Sequence, residues 1–149
     1  MSPESRLLYL PLSARYAVSA ALYLAALPAG DYHMVEEVAM KTGLSSSYLS
    51  KILQRLAKAG VLDSRRGAKG GYRLCRPAGE VSISEIIAAS QLMEKEPMPC
   101  MIEARDCDEA KPCAMHPFVA QTEGSLWHRL DGFTLKKLCT ASSDENKEK

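Results

Sequence analysis

Apolar side chains recur every three or four residues over three segments in the first half of the chain, which predicts three helices. The first covers Leu12 to Leu27, with Ser13 as its N-cap, and the second covers about Val35 to Thr42. The third begins at one of the serines from Ser45 to Ser47 and ends at Gly60.

The connection between the second and third helices is typical of a helix-turn-helix motif. Ala39 is small enough to let the two helices approach each other, and Gly43 stands where a tight turn requires a positive φ. Two short helices joined in this way form the DNA-reading unit of many proteins, although similar turns occur in other helical hairpins.

A β-hairpin is predicted directly after this motif. Val61 to Arg66 reads as a strand, the glycine-rich stretch Gly67 to Gly71 as a tight turn, and Tyr72 to Cys75 as the returning strand. A hairpin in this position is a wing. The predicted fold class is therefore mainly α with a small β-hairpin wing, a winged helix-turn-helix followed by a long C-terminal helix.

The second half of the chain alternates helix and loop. A fourth helix is predicted over Val81 to Ala89, a loop over Gln91 to Lys111, and a long helix from near Cys113 to about Leu130. A short helix over Thr134 to Cys139 and a disordered tail from Ser142 to Lys149 complete the prediction.

Composition places the chain among ordinary soluble globular proteins. It is 46% apolar and 25% charged, and its five cysteines are an odd number, which argues against a complete disulfide framework. It lacks the 18 consecutive apolar residues that a membrane span requires. The run from Ala17 to Gly30 resembles the apolar region of a signal peptide, but an alanine-rich amphipathic helix explains it better. We therefore expect a cytoplasmic protein.

Charge is strongly segregated along the chain. The segment from Lys41 to Arg76 contains nine lysines and arginines against a single carboxylate, Asp63, and so carries +8. Because the whole chain carries only +1, the remainder carries −7. Such a basic segment on a helix-turn-helix and its wing predicts a polyanionic partner, namely double-stranded DNA.

The third helix has the side chains of a recognition helix. Lysine reaches guanine acceptors, glutamine pairs with adenine, and serine bonds to bases or phosphates. The wing cations are assigned to phosphates or the minor groove. The candidate DNA-binding residues are Ser46, Ser47, Tyr48, Ser50, Lys51, Gln54, Arg55 and Lys58 of the third helix, and Arg65, Arg66 and Lys69 of the wing.

The predicted loop contains a possible metal site. Cys100, Cys107 and Cys113 are separated by six and five residues, and His116 follows three positions later. Thiolates and imidazole bind zinc or iron–sulfur clusters, and these gaps are wider than those of a zinc knuckle. A thiol switch without metal and a small redox enzyme are the alternatives. The other two cysteines are interpreted as structural, and the other two histidines, His33 and His128, as surface residues.

Several segments together resemble the Rrf2 family of bacterial transcription regulators. They are Leu12 to Ala25, the helix-turn-helix Thr42 to Leu62, the specific wing sequence RGAKGGYRL (Arg66 to Leu74), and the closing Gly132 to Leu138, with the cysteine loop in the corresponding place. The resemblance implies a homodimer that binds a palindromic operator, with the long helix, about Met115 to Leu130, at the dimer interface.

The resemblance also implies a cofactor and a signal. A 2Fe–2S or 4Fe–4S cluster that senses redox state, iron or nitric oxide would be held by Cys100, Cys107, Cys113 and His116. The expected domains are the DNA-binding domain (1–90), the cluster-binding loop (91–112), the dimerisation and C-terminal helices (113–140) and the tail (141–149). The expected function is a regulator and not an enzyme; the alternative is a cluster-free regulator controlled by a thiol switch, zinc or a partner protein.

Overall fold

The computed structural model describes residues 10–91 and 99–145. Within these ranges the chain forms six α-helices and one antiparallel hairpin. The helices are α1 (Leu12–Ala26), α2 (Val35–Thr42), α3 (Ser46–Lys58), α4 (Ile83–Gln91), α5 (His116–Asp131) and α6 (Leu135–Glu145), and the hairpin strands are β1 (Leu62–Arg65) and β2 (Gly71–Leu74). The predicted fold class is confirmed.

Helix α1 lies at the centre of the core. The side chains of Ala14, Ala17, Ala20 and Ala21 are fully buried, and α3, α4 and α6 pack around the helix. Because alanine adds little bulk, three helices can approach α1 closely, which accounts for the alanine-rich run. The predicted N-cap is wrong, since Pro11 caps α1 and Ser13 is buried inside it.

The helix-turn-helix forms as the small residues predict. Gly43 adopts the left-handed conformation with φ of 70°, and its backbone N–H bonds to the carbonyl of Ala39. The Leu44 N–H bonds to the same carbonyl at 3.1 Å. Ala39 itself is buried, so α2 and α3 meet at this point.

The first strand of the wing is shorter than predicted, and the second strand is shifted by one residue. Only four residues on each side pair, from Leu62 with Leu74 to Arg65 with Gly71. Gly71 therefore belongs to β2 and not to the turn. The register places Asp63 directly across from Arg73.

Helix α5 begins at His116, later than predicted, with Pro117 in its first turn, where proline is tolerated. None of its 16 residues, all within the described ranges, is buried. Residues 99–111 lack helix and strand, in agreement with the predicted loop, but its first residue, Gln91, is the last residue of α4, and residues 92–98 lie outside the described residues.

The C-terminal helix is longer than predicted. Helix α6 is anchored by the buried Leu135, whose N–H bonds to the carbonyl of Val81 at 2.9 Å, and it continues to Glu145. The prediction of disorder is therefore wrong for residues 142–145, and residues 146–149 lie outside the described residues. No helix in the described ranges is both long and apolar enough to cross a bilayer.

Candidate DNA-binding surface and cysteine loop

The outward face of α3 carries the predicted row of polar side chains. Leu49, Ile52, Leu53 and Leu56 are completely buried on the inner face, which turns the polar row toward solvent. The predicted DNA-binding residues that are exposed are Ser46, Ser47, Lys51, Gln54 and Lys58 on α3, and Arg65, Arg66 and Lys69 in the wing. Ser50 is half-buried and accepts a hydrogen bond from Nε2 of Gln54 at 3.4 Å.

Two predicted DNA-binding residues also make contacts within the domain. The Tyr48 ring packs edge-to-face against Tyr16 of α1, with 5.1 Å between the ring centroids. Nη1 of Arg55 donates to the carbonyl of Ser90 in α4 at 2.9 Å. Both side chains are half-buried, so they help to hold α3 in place.

The wing base contains a polar cluster that the sequence pattern did not predict. The Tyr32 hydroxyl donates to Oδ2 of Asp63 at 2.5 Å, and Arg73 donates to the same oxygen from Nε at 3.1 Å and from Nη2 at 2.9 Å. These bonds, first that from Tyr32 and then those from Arg73, lower the pKa of Asp63. Asp63 is the lone carboxylate of the basic segment and pairs across the hairpin with Arg73, a signal that was available in the sequence.

The loop before α2 pairs with the wing through its backbone. His33 and Tyr72 exchange two hydrogen bonds, of 3.0 and 2.9 Å, and form an isolated antiparallel bridge. His33 was expected at the surface, but only 15% of its side chain is accessible. Its Nδ1 lies 2.9 Å from Oε1 of Glu37. The wing is thus attached to the connection between α1 and α2.

The predicted metal ligands are neighbours, but only Cys107 and His116 are in direct contact. Sγ of Cys107 is 3.2 Å from Nδ1 of His116, and the Cys113 thiol is close enough to Cys100 to help lower the pKa of Cys100. Cys113 is buried, whereas Cys100 and Cys107 are half-buried. Outside this loop, Cys139 is half-buried, but Cys75 is exposed and so does not have the structural role expected of it.

The loop gives its thiols different acidities. Backbone hydrogen bonds, first that from Ile102 and then that from Glu103, lower the pKa of Cys100. Burial raises the pKa of Cys107, and the neighbouring thiols of Cys100 and Cys113 raise it further. The surroundings of Cys100 therefore favour its thiolate form, whereas those of Cys107 disfavour it.

Three thiols and one imidazole are suitable ligands for zinc or for iron in a cluster. Among residues 10–91 and 99–145, however, no three such side chains are arranged around a common point as ligands of one metal ion. The site fits a soft-metal centre in its donor chemistry, and binding would require these side chains to move toward a common point.

The chain is similar in sequence to known regulators. A family model described as Rrf2, iron-dependent transcriptional regulator, matches residues 12–141. The chain is also 29% identical over 109 residues to protein rrf2 of Nitratidesulfovibrio vulgaris, covering 73% of this chain and 72% of that protein.

Solved structures show the same fold. The oxidised form of CymR from Staphylococcus aureus is 27% identical, with a TM-score of 0.67 over 89% of this chain and 96% of that one. IscR from T. potens is 24% identical, with a TM-score of 0.68 over 91% of this chain and 88% of that one. The likeness therefore extends over most of the chain and not only over the winged helix.

Proposed function

This chain belongs to the Rrf2 family of transcriptional regulators, and we propose that it is a homodimer that binds a palindromic operator and senses redox state, iron or nitric oxide through an iron–sulfur cluster. The family match makes it a DNA-binding regulator with a winged helix and not an enzyme. The operator, the dimer, the cluster and the residues assigned to them are the proposal. We place the protein in the cytoplasm, where its DNA would be.

One observation supports the DNA-binding surface above all others. The exposed row on α3 and the exposed wing cations belong to one basic segment, while the opposite face of α3 is buried in the core. We assign the row Ser47, Lys51, Gln54 and Lys58 to the major groove, with Ser46 and Ser50 at the start of the helix. The wing residues Arg65, Arg66 and Lys69 are assigned to phosphates.

The assignment can be tested with a duplex selected from a randomised pool, labelled with a fluorophore. Binding is measured by anisotropy at several salt concentrations for the intact protein, for Lys51→Ala and for Lys69→Ala. Removing one phosphate contact should lower the slope of log K against log salt by about 0.9. Removing a base contact should also weaken the protein's preference for one base at the contacted position of the duplex.

Lys136→Ala is the matched control, because this exposed lysine lies on α6, outside the basic segment. It should leave both affinity and salt slope unchanged. If Lys51→Ala and Lys69→Ala behave like Lys136→Ala, the DNA-binding surface lies elsewhere.

The sensor is assigned to the cysteine loop, with Cys100, Cys107, Cys113 and His116 as ligands. When bound, an iron–sulfur cluster supplies a centre whose charge and stability depend on oxidants, iron supply and nitric oxide. The chain's own contribution is to hold the Cys107 thiol against the His116 imidazole at the first residue of α5. The family description as iron-dependent supports this assignment.

The contacts around α4 give a route from the loop to the recognition helix. Asp131 at the end of α5 accepts a hydrogen bond from the hydroxyl of Ser84 at the start of α4. At the other end of α4, the Ser90 carbonyl accepts from Arg55 of α3. A change in the loop that moves α5 can therefore reach α3 through two side-chain contacts, and we propose that the ligated and unligated loops place α3 differently.

The cluster can be tested by purifying the protein without oxygen and measuring iron, sulfide and the visible absorption spectrum. The intact protein should contain iron and sulfide, and Cys107→Ala should lose the visible bands. Cys139→Ala, which replaces a half-buried cysteine outside the loop, should retain them. Colourless protein that still binds DNA would rule out the cluster and leave the winged-helix regulator intact.

A second candidate function is a thiol switch, which is favoured by two free thiols, Cys100 and Cys113, close enough for Cys113 to influence the pKa of Cys100. In this mechanism a two-electron oxidant accepts two electrons and two protons from the thiols, and the sulfurs join as a disulfide. The related CymR of S. aureus has been crystallised in an oxidised form. Loss of two free thiols on oxidation of colourless protein, together with a change in operator affinity, would support it.

A further inference from the structure

We propose that Asp63 is a positioning residue for DNA binding: through Tyr32 and Arg73 it fixes the wing on the connection between α1 and α2, so that the wing cations reach the phosphates. This role rests on the proposed function, because it requires the wing to contact DNA. The role would explain why a carboxylate, whose charge repels DNA, lies within the basic segment.

The backbone already fixes one point of the wing. His33 and Tyr72 exchange two hydrogen bonds, so the connection before α2 pairs with β2. Gly71 has a φ of 132°, and a Cβ at this position would lie 2.2 Å from the carbonyl oxygen of His33. Only glycine allows so close an approach, so Gly71 and His33 fix the first point of the wing base.

The side chains around Asp63 fix a second point. Its Oδ2 accepts from the hydroxyl of Tyr32 before α2 and from two guanidinium nitrogens of Arg73 on β2. Arg73 reaches back further, since its Nη1 donates to the carbonyl of Gly30 at 2.9 Å. One carboxylate oxygen therefore joins both strands of the hairpin to the connection before α2.

Tyr32 extends the cluster toward the surface assigned to DNA. Its ring lies near both arginines, with the guanidinium carbon 4.4 Å from the ring centroid for Arg73 and 5.8 Å for Arg65. These residues and Lys69 border an open cavity of about 590 Å³ between the wing and the connection. The orientation of the wing cations Arg65 and Lys69 thus depends on where Tyr32 and Asp63 hold the hairpin.

Charge and positioning predict opposite results for Asp63→Asn. If Asp63 acts only through its charge, its neutralisation raises the affinity for DNA and steepens the salt dependence. If Asp63 positions the wing, the same substitution weakens the bonds from Tyr32 and Arg73 and lowers both quantities. The direction of the change therefore distinguishes the two roles.

The test measures binding of the full chain to the selected duplex at several salt concentrations. We expect Asp63→Asn to weaken binding roughly three- to tenfold and to lower the salt slope by about 0.9 for each phosphate that the wing can no longer reach. Tyr32→Phe, which removes one hydroxyl and no charge, should change both in the same direction by less. Tyr32→Phe also decides the matter if Asp63→Asn does not fold, as judged by circular dichroism.

Asp31→Asn is the control for charge alone, because Asp31 is an exposed carboxylate on the same connection and borders the same cavity. It should bind DNA as tightly as the original protein or more tightly. The positioning role is overturned if Asp63→Asn behaves like Asp31→Asn while Lys51→Ala and Lys69→Ala are weakened. If Lys69→Ala and Lys51→Ala bind normally, the DNA surface of the proposed function is wrong, and the positioning role is overturned with it.

Discussion

Sγ of Cys107 lies 3.2 Å from Nδ1 of His116, so the cysteine loop is joined directly to the first residue of α5. A ligand or an oxidation that moves this sulfur must also disturb the start of that helix. Because α5 leads through Asp131 and Ser84 to α4, the pair stands at the start of the proposed route to the recognition helix.

The loop thiols should react at different rates in metal-free protein. A thiolate is the attacking form, so the lowered pKa of Cys100 gives it more nucleophile at pH 7 than the raised pKa of Cys107. Labelling with iodoacetamide followed by peptide mass spectrometry should show Cys100 modified first, with the difference shrinking toward about pH 9. Cys139, whose pKa burial also raises, should lag behind Cys100. Faster labelling of Cys107 at neutral pH would contradict the described geometry.

Substitutions at Arg55 and Lys51 should affect different properties: Arg55→Ala stability, and Lys51→Ala DNA binding. Arg55→Ala removes a hydrogen bond from a charged donor to α4, so it should lower the free energy of unfolding by about 1–2 kcal/mol. Lys51→Ala should leave stability nearly unchanged and weaken DNA binding, because Lys51 is exposed on the outward face. Urea denaturation and anisotropy measure the two effects. Equal reductions of affinity in both variants would mean that Arg55 contacts DNA as Lys51 does.

Two glycine-to-alanine substitutions should have opposite effects on stability. Gly71→Ala forces a Cβ against the carbonyl of His33 at a φ of 132°, so it should destabilise the protein by about 1–3 kcal/mol or more. Gly124→Ala, in helix α5 where the new Cβ meets nothing within 4 Å beyond the adjacent backbone of its own helix, should stabilise it by about 0.5–1 kcal/mol. Thermal unfolding provides the comparison. A neutral Gly71→Ala would mean that the wing base can shift freely.

A polar substitution on α5 should disrupt the proposed dimer. Phe118 and Trp127 are 61% and 38% exposed, on a helix without a single buried residue. Trp127→Glu should shift the sedimentation coefficient to that of a monomer and weaken binding to a palindrome, since two half-sites would no longer be held together. Met40→Glu places the same charge at an exposed methionine of α2 and should remain dimeric. A Trp127→Glu dimer would place the interface elsewhere.

The cluster around Asp63 should stabilise the wing only between acidic and alkaline limits. The pKa of Asp63 is lowered, so its contribution is present above the ordinary value and is lost as pH falls through the folded one. The pKa of Tyr32 is raised, mainly by its bond to Asp63, so its contribution is lost as pH rises through that value. The difference in melting temperature between the original protein and Tyr32→Phe should be constant from about pH 5 to 9 and shrink outside this range. A change near pH 6–7 would contradict the assignment of this stability to Asp63 and Tyr32.

The order of the elements could be predicted because its signals are local. A stripe of apolar residues at helical spacing specifies α3, and a glycine with positive φ specifies the turn at Gly43, whatever the rest of the chain does. The segregation of charge into one segment is also a property of the sequence, and it indicates a polyanionic partner before any contact is known. Residue type also marks the cysteines and the histidine of the loop as candidate ligands, which stays a prediction.

Periodicity could not predict which neighbours each side chain meets. Arg55 and Tyr48 lie on the flank of the outward face of α3, and only the packing of α4 and α1 turns them into internal contacts. The end of α6 was missed for a similar reason, since Leu135 anchors a helix whose last turn carries little apolar signal of its own.

The sequence by itself determined the helices, the wing, the basic segment and the set of donor residues, because spacing and residue type along a short stretch are sufficient for each of them. Only the tertiary structure decided that Tyr32 meets Asp63 and Arg73, that Cys107 meets His116, and that Arg55 turns to Ser90. These pairs join elements whose distance from each other depends on how the whole core packs. That distance cannot be predicted from the residues of either element alone.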